Sequence, residues 1–140
     1  MKPPIMSDAD ALKAQRQGKT WKPGWYAGRI DACLEKVSQA GNECFEWTVI
    51  VRNAAGDERT IRDFGVSTPF GMLKLKHCIE AVGAGDKYES GEEITQDDFP
   101  GHDVEVKLAI EKKRGFRDRN IIEDYRTAAA SSVVQLHPAS

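Results

Sequence analysis

Three alternating runs, one helix-start signature and two further alternating runs follow one another along this chain, and that order limits its fold more than any single residue does. Over residues 25–37, Tyr26, Gly28, Ile30, Ala32 and Leu34 fall on one face, and Trp25, Arg29, Asp31, Cys33 and Glu35 on the other. A period of two is that of an extended strand, whose successive side chains point to opposite faces. The turn-forming cluster Ser38-Gln39-Ala40-Gly41-Asn42 ends the run. Residues 44–52 form a second strand, rich in aromatic and β-branched residues, with Phe45, Trp47, Val49 and Val51 on one side. Asn53-Ala54-Ala55-Gly56-Asp57 turns the chain into a third, more polar strand over 58–64.

The period changes after Val66. Ser67 or Thr68 is suited to cap a helix and Pro69 to occupy its first position, where a missing N–H costs little. Phe70, Met72, Leu73, Leu75, Cys78, Ile79 and Val82 then recur at spacings of three and four until Gly83 or Gly85, which predicts a helix over 69–82. An acidic connector over 86–100 leads to a fourth strand, 104–110, with Val104, Val106, Leu108 and Ile110 inward and Glu105, Lys107 and Ala109 outward. Residues 120–125 supply a fifth. The order β-β-β-α-β-β predicts a mainly β fold, a five-stranded OB-type barrel with its helix between strands three and four.

At 140 residues, 40% of them hydrophobic and 30% charged, the chain fits one soluble domain. Its expected limits are 21–126, with a flexible arm at 1–20 and a flexible, uncharged tail at 127–140. No apolar stretch approaches the roughly 20 residues of a membrane span. The first residues carry prolines and acids where a signal peptide has an apolar core, so a cytoplasmic location is expected. Cys33, Cys44 and Cys78 form an odd set without a close pair, which suits buried thiols better than disulfides or zinc.

The net charge of −2 hides a polarised distribution. Residues 112–119 carry Lys112, Lys113, Arg114, Arg117 and Arg119 against Asp118 alone, with Phe116 among them after Gly115. Single-stranded nucleic acid is held by cations that follow its phosphates and by aromatic faces on which bases stack. On an OB barrel the strand crosses strands two and three between two loops, here 36–43 and 111–119. Phe116 and its basic neighbours are therefore the foremost candidate site. Trp25 and Arg29 on the first strand are candidates because they share a face with Asp31. Trp47 is a stacking candidate whose shared side with Phe45, Val49 and Val51 also fits core packing. Lys36, Arg52, Arg59 and Arg62 could track phosphates, and Trp21 and Lys22 would extend the path if the arm folds over the barrel.

Other classes find less support. No helix carries the row of Arg, Asn and Gln that reads a major groove. His77, His102 and His137 are too scattered to converge. The adjacent pairs Asp97-Asp98 and Glu123-Asp124 could in principle hold Mg²⁺, but neighbouring residues of a strand point to opposite faces, which separates Glu123 from Asp124. No phosphate-binding glycine loop precedes the helix. Neither catalysis nor a cofactor is expected. A protein-interaction or assembly module, for example a nuclease inhibitor that mimics DNA, is the alternative, but a mimic would carry acids around Phe116.

The segments GWYAGRIDACLEKVSQAGNECFEWTVIV and PGHDVEVKLAIEKKRGFRDRNIIEDY resemble a family of phage- and prophage-encoded OB-type single-stranded DNA-binding proteins. The carried pattern is Gly24-Trp25-Tyr26, Ser38-x-x-Gly41-Asn42, Pro100-Gly101 and Asn120-Ile121-Ile122, within about residues 24–126. The resemblance implies protection of single strands in replication or recombination, with single-stranded DNA as ligand and phage replication or recombination proteins as partners. It departs at the tail, which lacks the acidic tip that recruits partners to bacterial single-strand binders. Exposed strand edges permit a homodimer.

Overall fold

The computed structural model describes residues 19–129, so most of the expected arm and tail lie outside the described residues. Five strands, β1 (Gly24–Val37), β2 (Glu43–Arg52), β3 (Glu58–Val66), β4 (Asp103–Glu111) and β5 (Arg119–Thr127), form one antiparallel sheet in the order β3-β2-β1-β4-β5. β1 is long because it serves both halves of the sheet. Its first residues pair with β4, from Gly24 opposite Leu108 to Arg29 opposite Asp103, while the segment from Ala27 to Val37 pairs with β2. The sheet curls into an OB-type barrel around Ile30, Trp47, Val49, Val51, Val104, Val106, Leu108 and Tyr125, all buried.

Two bulges correct the simple alternation read from the sequence. In β1 the register slips between Ile30 and Ala32, so Asp31 is an extra residue and the inward face changes phase. Cys33 is therefore buried, whereas Ala32 and Leu34, which share a face with Ile30 by strict alternation, are exposed. In β5 the register slips at Glu123, which lets Ile122 and Tyr125 both face inward although three positions apart. Glu105 also departs from expectation. It belongs to the outward row of β4 but is buried by Arg126 of β5, whose guanidinium lies 2.6 Å from its carboxylate.

The two lips of the sheet, β3 and β5, are joined by side chains rather than by a backbone ladder. The Tyr125 hydroxyl donates to Asp63 Oδ2 at 2.8 Å, and the Lys74 ammonium donates to Asp63 Oδ1 at 2.9 Å. Further along the same seam, Arg59 Nη1 donates to Asn120 Oδ1 at 3.1 Å. Burial and the nearby Asp63 carboxylate both push the Tyr125 hydroxyl well above its ordinary pKa, so it remains a donor.

Lys74 belongs to α1 (Met72–Ala81), which covers the core with Leu75, Cys78, Ile79 and Ala81. The helix starts later than the expected position 69. Gly71 approaches the end of β3 so closely that a Cβ there would lie 2.4 Å from the Val66 carbonyl oxygen. The chain turns at this point, with Thr68 Oγ1 accepting from the Gly71 N–H at 3.2 Å, and Phe70 and Leu73 are left exposed. Gly83, at a positive φ of 82°, ends the run.

The acidic connector is more structured than its composition suggests. It holds a second short helix, α2 (Gly85–Glu89), and a 3₁₀ turn, Gln96–Asp98, that opens with a reciprocal cap between Thr95 and Asp98. The Thr95 backbone N–H donates to Asp98 at 2.7 Å and the Lys87 ammonium at 3.0 Å, which seats Phe99 in the core.

The Trp47 ring sits over Gly65, where a Cβ would come within 2.2 Å of the ring. Gly65→Ala is expected to lower stability in chemical denaturation by about 1–3 kcal/mol through overpacking. Gly28→Ala would meet only ordinary van der Waals contacts, the nearest at 3.4 Å, and is expected to stay within about 1 kcal/mol of the parent. Equal effects at the two glycines would contradict this packing. A second expectation concerns acid. The Thr95 backbone hydrogen bond, with help from Lys87, holds the Asp98 carboxyl below its ordinary range against the opposing effect of burial. The associated stability is complete above the unfolded pKa of about 3.9 and fades as pH falls through the lower folded value. Asp98→Asn should accordingly lose less stability than the parent between neutral and strongly acid pH.

Candidate nucleic-acid interface

The loop from β4 to β5 stands beyond the start of β1. Gly24 pairs with Leu108, yet β4 and β5 continue to the pair Glu111 and Arg119, so the hairpin projects past the first residue of β1. Its tip is a tight turn in which the Phe116 N–H donates to the Lys113 carbonyl at 2.9 Å, with Gly115 at a φ of +84° that side-chain-bearing residues rarely adopt. Phe116 is 70% exposed, and the Lys113 ammonium lies 5.3 Å from its ring centroid.

Ion pairing separates the cations named by the sequence into two groups. Arg29 bonds Asp103 at 3.1 Å, Arg52 lies 3.6 Å from Glu58, and Arg119 bonds Glu111 at 2.8 Å at the base of the hairpin. Lys36 pairs with Glu46. Among the described residues Lys112, Lys113, Arg114 and Arg117 have no carboxylate partner, nor does Lys22. A cation already satisfied by a carboxylate offers a phosphate less than one that is not, since the pair must be loosened first. The basic character of the loop is thus real, and that of the β1 and β2 candidates is largely cancelled.

The tryptophans divide similarly. Trp47 is fully buried, with Phe99 at 5.4 Å and Tyr125 at 5.2 Å between ring centroids, so it is a core residue and not a stacking platform. Trp25 is half-buried, and the Arg126 guanidinium covers one face of its ring at 4.1 Å from the centroid. It shares a cleft with Arg52 and Glu105, away from Lys36. Trp21 is folded onto the barrel. Its backbone N–H and carbonyl bond the Asn120 side chain at 2.7 and 2.9 Å, and Arg59 lies over its ring at 4.7 Å. That contact brings Lys19 and Thr20 into one cleft with Arg117 and Asp118 of the basic loop.

The outer face of β2 and β3 holds an aromatic residue that is not among the sequence-based candidates. Phe64 is 43% exposed and pairs across the strands with Glu46, next to Arg62 opposite Thr48 and Thr60 opposite Ile50. The signal was available in the alternation itself: Ile61 and Asp63 turn inward, which sends Arg62 and Phe64 outward. Arg62 and Lys36 both reach Glu46, and the Lys36 hydrogen bond holds that carboxyl below its ordinary range. Two cations around one carboxylate leave a net positive charge beside an exposed ring.

Two further groups considered for catalysis are engaged locally. His77 Nδ1 lies 2.7 Å from Asp124 Oδ1, and Glu123 lies 3.6 Å from Lys107. The three cysteines are buried, and burial pushes the Cys33 thiol up to about 12. Among the described residues no group of three His, Cys, Asp or Glu side chains gathers as metal ligands would. No helix among them is long and apolar enough to cross a membrane. No family model matches the chain, and no curated protein matches it.

The burial of Trp47 predicts a spectroscopic outcome. In a Trp21→Phe, Trp25→Phe variant the remaining emission should be blue-shifted and resist acrylamide. Quenching as strong as that of the parent would mean that Trp47 reaches solvent.

Proposed function

We propose that this protein binds single-stranded DNA, with the strand running over the outer face of β2 and β3 and held by the basic loop between β4 and β5. One observation carries this reading. Phe116 projects into solvent among four cations that lack carboxylate partners among the described residues, at an end of an OB-type barrel, while Arg29, Lys36, Arg52 and Arg119 are ion-paired. An exposed ring beside unpaired cations offers a base a stacking surface and its phosphates a counter-charge. Phe64, beside the Glu46 carboxylate that Arg62 and Lys36 both reach, would supply a second exposed ring on the sheet. Protection of exposed strands during replication or recombination is the role this binding would serve, as the resemblance to phage-encoded proteins implies.

Fluorescence anisotropy with labelled oligonucleotides tests the proposal. Single strands should bind more tightly than duplex of equal length, and Phe116→Ala should weaken binding about 5- to 150-fold, the equivalent of one stacked base at about 1–3 kcal/mol. Replacing Lys112, Lys113 and Arg114 together by Ala should flatten the plot of log affinity against log salt by about 2, at about 0.7 for each phosphate no longer neutralised. Equal affinity for single strand and duplex, or absence of both, would overturn the reading.

A further inference from the structure

At the far end of β1 from the basic loop, a cleft of about 480 Å³ opens beside the turn between β1 and β2. Its apolar lining includes Phe45, Leu75, Ile79 and Ile94, contributed by β2, α1 and the connector. Three glutamates, Glu35, Glu43 and Glu93, stand around it, each exposed and without a cation partner among the described residues. The one lysine on the rim, Lys36, is already taken by Glu46. An apolar hollow ringed by unpaired carboxylates is complementary to an apolar side chain flanked by cations.

The described chain carries such a segment in Phe116 with Lys113, Arg114 and Arg117, but at the opposite end of the barrel. From Gly24 to Glu35, the first β1 residue of the cleft, the strand alone runs 11 steps, about 36 Å at ~3.3 Å per residue. The loop is set on the ends of β4 and β5, so it cannot fold back into the cleft of its own barrel. We propose that the cleft receives Phe116 of a second copy, so that copies associate head to tail. The ring leaves water for the apolar floor, and the cations of one copy meet the glutamates of the next. The two surfaces differ, so the contact is heterologous and leaves a free loop at one end of any assembly and a free cleft at the other. The loop is the one assigned above to the nucleic-acid strand, but association does not depend on that assignment. A loop docked in a neighbour is closed to nucleic acid, so the two occupants compete.

Sedimentation velocity without nucleic acid, at low salt and over a concentration series, tests the contact. The parent's mean mass should rise above the single-chain value of 15.5 kDa as concentration increases, and return to it when salt is added. Phe116→Ala, which removes the anchor, and a Glu43→Lys, Glu93→Lys variant, which reverses the rim, should each remain single. An equimolar mixture of these two variants should form a species of two copies and no larger, because one intact loop and one intact cleft remain. A parent that stays single at every concentration, or association that survives either substitution, would overturn the proposal. So would a mixture that stays single while the parent associates. Strand binding is read separately by anisotropy. Its failure with association intact overturns only the proposed function, and the converse overturns only the head-to-tail contact.

Discussion

One buried carboxylate holds this barrel shut. Asp63 on β3 accepts from Tyr125 on β5 and from Lys74 on α1, so a single side chain ties together three elements that no backbone ladder joins. Burying a carboxylate is costly unless its oxygens are satisfied, and here each oxygen has a donor within 2.9 Å. The arrangement fixes the position of the helix as well as the width of the barrel. Removal of Lys74 would leave the Asp63 carboxylate without its counter-charge, and removal of the Tyr125 hydroxyl would leave one buried carboxylate oxygen without a donor. The core around Trp47 depends on the same closure, because Tyr125 is both a donor to Asp63 and a wall of the tryptophan's pocket.

The order of elements was legible in the sequence because alternation and turn clusters are local signals, and all five strands fall where they were expected. What local signals could not show was the phase. Asp31 and Glu123 look like ordinary members of their runs, and only cross-strand register reveals each as an extra residue that sends Leu34 outward and Tyr125 inward. The start of α1 at Met72 departs from the local signal for a related reason. Ser67-Thr68-Pro69 has the chemistry of a helix start, but the close approach of Gly71 to Val66 is a tertiary constraint. The Thr95-x-x-Asp98 cap, in contrast, was present in the sequence and hidden within an acidic stretch.

The candidate site was legible in part. Charge and an unusually placed phenylalanine singled out residues 112–117 without any knowledge of contacts. Whether a cation is free to meet a phosphate depends on its neighbours in space, and sequence spacing is silent on that. Arg29 and Asp103 lie 74 positions apart and Lys36 and Glu46 on different strands, yet each pair is joined. Phe64 is the converse case: the alternation that turns Ile61 inward sends it outward with Arg62, although a phenylalanine in a strand ordinarily reads as core.

The seam between β3 and β5 has a consequence beyond closure. Each lip is hydrogen-bonded to a neighbouring strand on one side only, and the bonds across the gap come from a few side chains. The seam is therefore where the barrel can part at least cost, with the ladders of β1, β2 and β4 left whole. A small wedge driven in there would widen the barrel as a book opens at its unsewn edge. Trp21, bound by its backbone to Asn120 and capped by Arg59, lies across that opening like a clasp.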